Sequence, residues 1–232
     1  RIGARFTKHT AISYSVHRGA LSRAELTGLP LRSDVLHAIE GASSDWDSAR
    51  ARAKSKISQK YGFDSKKPLV FIFGGSQGSQ AINRVITDAQ PAFAKAGVNV
   101  LHGVGKNNDV PAATDSYRAL SYIDEMADCY LAADLLIGRS GAVTCAEATA
   151  LSRYSLFIPL PIGNGEQALN AGSLVAAGRA EVLDQSSFTP EWVTSNINRL
   201  IEKSGTRPTA GDASGVSAVD KIVSIIERAV GK

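Results

Sequence analysis

The chain of 232 residues is 44% apolar and 21% charged, with a formal net charge of +4 and a pI near 9.1. This excludes intrinsic disorder and leaves room for one large domain or one and a half smaller ones. Two cysteines, Cys129 and Cys145, both in stretches that read as buried helix, exclude a disulfide framework, argue against a zinc site and fit reduced thiols in a cytoplasmic protein.

No apolar stretch approaches the roughly 18 residues of a membrane span and no secretory signal is visible, so any membrane attachment is expected to be peripheral. The modest, dispersed positive charge favours anionic partners without choosing among nucleotide, nucleic acid and membrane surface. No aromatic-plus-basic motif of a nucleic-acid module is present, and no nucleic acid partner is expected.

The chain begins Arg1-Ile2-Gly3-Ala4-Arg5, without methionine and in what reads as a helix, and is expected to be a piece of a longer protein. Two short apolar pieces follow, Ala11 to Ser15 and Ala24 to Thr27, so residues 1 to 31 are too small for a domain. Gly28 and Pro30 mark a turn where the chain passes from one lobe to another, directly before Arg32. A lone arginine is ordinarily a solvated surface group. From Asp45 to Tyr61 a heavily basic stretch reads as an exposed helix ending at Gly62, its bases either solvated or in contact with acidic lipid head groups.

Apolar runs then recur at Leu69 to Phe73, Val98 to Leu101, Ala119 to Ile123, Asp134 to Ile137, Ser155 to Ile158 and Ala180 to Leu183. Helix-like stretches separate most of them, at Gln80 to Ala96, Asp124 to Ala132, Ala142 to Leu151, Glu166 to Ala177 and Pro190 to Glu202. Short aliphatic strands alternating with helices predict an α/β class protein, a doubly wound parallel sheet of Rossmann-like type. In such sheets ligands bind beyond the carboxyl ends of the strands. After a Gly-, Pro- and Ser-rich linker from Lys203 to Gly215, the stretch Val216 to Val230 predicts a closing helix. Its apolar stripe of Val219, Ile222, Val223, Ile226 and Val230 must pack on something.

The turn Gly138-Arg139-Ser140-Gly141 leaves a strand and opens an alanine-rich helix, with Ser140 the predicted N-cap. Unpaired N–H groups and the helix dipole suit an anion there. Glu147 would lie roughly 10 Å along the axis, about the reach from a diphosphate to a ribose diol. Two readings are open: an anion-and-diol site, or a helix cap and a solvated glutamate.

The loop Gly74-Gly75-Ser76-Gln77-Gly78-Ser79 reads as a loop that lets the backbone approach a ligand, with a bare glycine turn as the alternative. Its spacing matches neither the dinucleotide fingerprint nor the P-loop, which disfavours nicotinamide and flavin cofactors. At the third strand end, Ile123 has backbone groups placed for a planar base, and Asp124 reads as a helix cap. Gln167, with Asn170 one turn on, has the donors and acceptor for two sugar hydroxyls. His102, at the second strand end, is a candidate base that nothing nearby in sequence orients. No Ser-His-Asp, metal-ligand or paired-carboxylate set stands out.

Four spaced motifs carry a resemblance: Phe73 to Gly78, Ile123-Asp124-Glu125-Met126, Arg139 to Glu147, and Gln167-Ala168-Leu169-Asn170-Ala171. In matching order, from about Gly28 to the C-terminus, they resemble the donor-domain motifs of the MurG family, bacterial UDP-N-acetylglucosaminyltransferases of peptidoglycan synthesis in glycosyltransferase family 28.

The resemblance implies the C-terminal lobe of a two-lobed GT-B glycosyltransferase. Residues 1–31 would be the tail of an acceptor lobe, 32–203 the UDP-sugar donor domain, and 204–232 a linker and a helix returning toward the acceptor lobe. It implies that Arg32 and Ser76 contact the diphosphate of UDP-N-acetylglucosamine, and that Ala142, Val143, Thr144, Cys145 and Ala146 oppose the phosphates. Ile123 would hold uracil through its backbone, Glu147 the ribose hydroxyls and Gln167 the N-acetylglucosamine hydroxyls.

It further implies lipid I as acceptor, a peripheral place on the inner face of the bacterial membrane, and neither cofactor nor metal. The family's catalytic base belongs to a glycine-rich, histidine-containing loop that this sequence does not contain. Leu29 stands where the family commonly has asparagine, and Glu166 where glutamine or histidine is usual. A non-catalytic UDP-sugar module, or the donor subunit of a split glycosyltransferase, is the competing reading. A dinucleotide-dependent oxidoreductase is weakened by the glycine spacing.

Overall fold

Strand β3 (Leu69–Phe73) is buried along its whole length, and its residues divide with period two: Leu69, Phe71 and Phe73 join one apolar cluster, Val70 and Ile72 another. A strand covered on both faces lies at the middle of a layered α/β fold. The computed structural model describes residues 6–14, 23–162 and 165–231. The helix expected at the start of the chain, Ser15 of the first apolar piece, and Gly163 and Asn164 of the loop before Gln167 lie outside the described residues.

On one side of β3, β4 (Asn99–Gly103) pairs with it and carries β5 (Tyr117–Leu120); on the other side stand β6 (Leu135–Gly138), β7 (Ser155–Phe157) and β8 (Ala180–Val182). All five pairings are parallel, so the chain winds outward from β3 to one edge, returns to the middle and winds to the other. The sheet is doubly wound and its topological switch point falls between β3 and β6.

One face is covered by α1 (Ser33–Ala42), α2 (Trp46–Tyr61), α5 (Met126–Ala132), α6 (Ala142–Leu151) and α8 (Gly172–Ala176), the last preceded by α7 (Glu166–Asn170). The other is covered by α3 (Gln80–Asp88), α4 (Gln90–Lys95) and α9 (Pro190–Gly205). Two further strands, β1 (Thr10–Ile12) and β2 (Ala24–Leu26), form a separate parallel ribbon. The closing helix α10 (Ala218–Val230) lies against β1, and its Arg228 pairs with Glu25.

Several elements depart from the sequence reading. The single helix expected from Gln80 to Ala96 breaks at Ala89, because Pro91 lacks an N–H and its ring crowds the preceding turn. The helix expected from Glu166 likewise divides at Ala171. β5 ends at Leu120, which leaves Ser121, Tyr122 and Ile123 in a loop, and α5 starts at Met126 with Glu125 rather than Asp124 at its N-cap position. The ten-residue helix α1 has no counterpart in the predicted elements.

Helix α2 turns one of its bases inward. Arg50 is buried and donates to the carbonyls of Leu131, Leu151 and Thr209, at 2.9, 2.6 and 2.7 Å. The first two lie in the last turns of α5 and α6, where unpaired carbonyls and the negative dipole end attract a cation. Lys54 pairs with Asp134 at 2.8 Å, Lys56 with Asp128 at 2.5 Å, and Lys60 with Glu125. Arg50 and Lys54 are thus drawn into the fold, whereas Arg52, Lys56 and Lys60 stay exposed, so α2 is the exposed helix expected, ending at Gly62, with its inner bases paired within the chain.

Candidate functional site

At the switch point the carboxyl ends of the central strands approach closely because their loops lack side chains. A Cβ on Gly138, at the end of β6, would stand 2.5 Å from the Phe73 carbonyl oxygen. Beyond β3 and β4, Gly78 (φ +75°) and Gly105 (φ +89°) lie backbone to backbone, and a Cβ on Gly78 would meet the Val104 carbonyl oxygen at 1.8 Å. Only glycine fits both the left-handed conformation and the space. Ser79 then caps α3 through the N–H of Ile82 at 3.4 Å.

Helix α6 opens differently. Its N-cap is Gly141, no side chain caps it, and the Ser140 hydroxyl is buried without a partner. The expected Ser140 cap is therefore corrected. The helix begins at Ala142, which places Ser140 one residue too early to reach the N–H groups of the first turn. Those N–H groups have no side-chain acceptor, so they remain suited to an anion.

A cavity of about 310 Å³ opens beside this terminus. It brings together Arg32, Ser76, Ile123, Val143, Thr144 and Glu147, with Gly75, Gly105 and Met126 among the rest of its wall. The remaining predicted site residues lie elsewhere. The Ala142 carbonyl accepts from the Tyr14 hydroxyl. Cys145 is buried in the core, and burial pushes its thiol up to about 12. Ala146 lines a second cavity, formed with Gly28, Leu31 and Arg179. Gln167 is half-buried, and its Oε1 accepts from the Leu160 N–H at 3.0 Å. Asn170 donates to the Ser140 carbonyl at 3.1 Å and so ties α7 to the turn before α6.

Within the first cavity Arg32, at the N-cap of α1, donates from Nε to Glu147 Oε1 at 2.7 Å. The Glu147 side chain is only 4% exposed. Burial raises its pKa above the ordinary carboxylate value, and Arg32 opposes that shift. The Arg32 side chain is 44% exposed and within 3.7 Å of Asp34. The solvated-glutamate reading of Glu147 is corrected: it is a buried acceptor paired with a part-exposed cation.

His102 does not reach this cavity. It is wholly buried, with Nδ1 2.8 Å from the Tyr117 hydroxyl and Nε2 3.1 Å from Asn83 Oδ1. Burial lowers its pKa to about 4. It is a neutral core side chain, which corrects its reading as a candidate base.

One residue of the opening turn has a role that sequence reasoning missed. Arg139 donates from Nη1 to the carbonyls of Ile158 and Pro159, both at 3.0 Å, and from Nη2 to Ser79 Oγ at 2.8 Å and Gln185 Oε1 at 2.6 Å. It ties the loop after β3, the end of β7 and the segment after β8 to the end of β6. The available signal was a charge at a strand end in a sheet buried on both faces. Among the described residues no cluster of three or more His, Cys, Asp or Glu side chains is arranged to hold a metal, and no helix is long and apolar enough to cross a membrane.

The model of the glycosyltransferase family 28 C-terminal domain matches residues 69–227. The UDP-N-acetylglucosamine–N-acetylmuramyl-(pentapeptide) pyrophosphoryl-undecaprenol N-acetylglucosamine transferase of Paenarthrobacter aurescens is 42% identical over 207 residues, covering 87% of this chain and 52% of the relative. That of Streptomyces coelicolor is 34% identical over 242 residues, covering 99% and 62%. The chain thus spans about half the length of the curated relatives it matches.

Among solved structures, Acinetobacter baumannii MurG superposes with a TM-score of 0.54 at 28% identity, over 72% of this chain and 52% of that one. The calicheamicin glycosyltransferase CalG4 shares the fold, with a TM-score of 0.56 at 16% identity, over 89% and 48%.

Proposed function

Because this chain belongs to the glycosyltransferase family 28 C-terminal domain family, we propose that it supplies the donor site of an inverting UDP-N-acetylglucosaminyltransferase that converts lipid I to lipid II in peptidoglycan synthesis. The observation that carries the reading is the cavity at the switch point. Arg32, Ser76, Ile123, Val143, Thr144 and Glu147 come from four separate stretches of sequence and meet around it. Its chemistry is graded as a nucleoside diphosphate would require: apolar at Ile123, acceptor at Glu147, and cationic and N–H-rich at Arg32 and the start of α6.

In this reading uracil packs on Ile123, the ribose hydroxyls donate to Glu147, and the diphosphate sits over the first turn of α6 with Ser76. Arg32 turns from Glu147 to the diphosphate. Gln167 exchanges the Leu160 N–H for the sugar hydroxyls. The muramoyl 4-hydroxyl attacks the anomeric carbon as its bond to the diphosphate oxygen breaks. Arg32 and the helix dipole stabilise the charge that develops on UDP. The base that takes the hydroxyl proton comes from an N-terminal lobe outside this chain.

Residues 1–31 are the tail of that lobe, 32–203 the donor domain and 204–232 the returning linker and helix. Support for the returning helix comes from α10, whose Val219, Val223, Ile226 and Val230 form an exposed apolar stripe. The assembled enzyme works at the cytoplasmic face of the membrane, held there peripherally.

Calorimetric titration with UDP-N-acetylglucosamine, UDP and ADP tests the donor site. Binding of both uridine nucleotides, tighter than ADP, is expected; equal affinity for ADP overturns it. Transfer to lipid I is expected only when an N-terminal lobe is added, and no transfer with both parts present would overturn the assigned reaction.

A further inference from the structure

Tyr130, on α5, is wholly buried, its ring meeting Phe71 and Phe73 edge-on with centroids 5.8 Å apart in each case. That packing accounts for the ring but not for the oxygen. The hydroxyl makes no hydrogen bond of ordinary geometry, although it stands close enough to the Glu147 carboxylate for an incipient bond and for the charges of Glu147 and Arg32 to act on its ionisation. A buried hydroxyl whose bond is poorly formed has lost its hydration without full replacement, and phenylalanine would fill the same space without that cost.

The groups that face Glu147 are Arg32 and Asp34 from the start of α1 and Tyr130 from α5, with Cys145 of α6 beside the tyrosine hydroxyl. Asp34 offers no donor when ionised. Once Arg32 serves a diphosphate, Tyr130 is the donor that remains among the described groups acting on the carboxylate's ionisation. A carboxylate has about four lone-pair sites, enough for this hydroxyl and two from a ribose.

We propose that Tyr130 is a positioning residue for the donor site: when Arg32 leaves Glu147 for the diphosphate, the Tyr130 hydroxyl donates to the Glu147 carboxylate and holds it toward the ribose hydroxyls. This rests on the reading of Glu147 as the ribose acceptor.

The test compares wild type and Tyr130→Phe in calorimetric titrations with UDP and with 2′,3′-dideoxyuridine diphosphate, which lacks both hydroxyls. Wild type should prefer UDP by at least about tenfold. Tyr130→Phe should lose about fivefold or more in UDP affinity, change little toward the dideoxy compound, and melt at or above the wild-type temperature. A variant that keeps the full preference overturns the proposal while leaving the ribose role of Glu147 intact. A variant that melts lower and binds both nucleotides equally less well makes Tyr130 a scaffold residue and also overturns it. Wild type without any preference overturns the ribose role itself, and this inference with it.

Discussion

Arg32 Nε and Glu147 Oε1 stand 2.7 Å apart across 115 residues of sequence, with the acid almost wholly buried and the base 44% exposed. The asymmetry means that the cation can swing away while the carboxylate cannot. Replacing Glu147 by glutamine keeps the shape and removes the charge that two ribose hydroxyls would meet. UDP affinity should fall at least about tenfold. Calorimetry that finds unchanged affinity removes the ribose role.

The same substitution should act in the opposite direction on stability. Burial raises the Glu147 pKa in the folded chain, against the opposing pull of Arg32. A carboxyl raised in this way contributes stability that is fully present below its unfolded value of about 4.3 and is lost as pH rises through the folded value. The melting temperature of Glu147→Gln relative to wild type should therefore improve between about pH 4 and pH 7. A difference that is flat across this window would show that burial does not burden the carboxylate.

His102 gives the complementary acid limb. Its folded pKa of about 4 lies below the unfolded value of about 6.5, so the stability it contributes is present above that value and lost as pH falls toward 4. The loss amounts to roughly 3 kcal/mol at about 1.4 per unit. In denaturant unfolding, His102→Gln should lack this part of the acid destabilisation. Equal pH dependence of variant and wild type would sink the neutral, buried assignment.

Arg139→Ala removes all four bonds that join the strand ends, leaving the Ile158 and Pro159 carbonyls without them. Chemical unfolding should register a loss of about 3 kcal/mol, and UDP binding should weaken although Arg139 does not line the cavity. A stability change within about 0.5 kcal/mol, the range of an ordinary surface substitution, would contradict its role as a tie.

Two glycines of one loop separate conformation from space. Gly75 has φ +97° with nothing near a new Cβ, whereas Gly78 has φ +75° with the Val104 carbonyl oxygen 1.8 Å away. Gly75→Ala should cost only the left-handed backbone penalty of about 1–2 kcal/mol. Gly78→Ala should cost that plus about 1–3 kcal/mol for parting the two loops. Equal losses in unfolding experiments would mean that the loops do not rely on close contact.

Much of this protein was readable residue by residue. The alternation of apolar strands with helices, the glycine turns after Phe73 and Gly138, and the placing of Ser76 after a strand and Thr144 in the first turn of a helix rest on local preferences. A few neighbouring residues express them, and from these the doubly wound class follows, while the strand order and the place of its switch point came from the structure.

The sequence could not show which charges meet. Arg50 of α2 looked solvated like its basic neighbours until the carbonyl ends of α5 and α6 were placed beside it. His102 looked like a strand-end base until Asn83 and Tyr117 enclosed it, and Arg139 looked like part of a turn until Ile158 and Gln185 arrived. Glu147 has the same one-letter code whether it faces water or Arg32. Burial and pairing are made by segments far apart in the chain, and the energies that set a side chain's charge state depend on those distances, which only the folded arrangement of the strands decides.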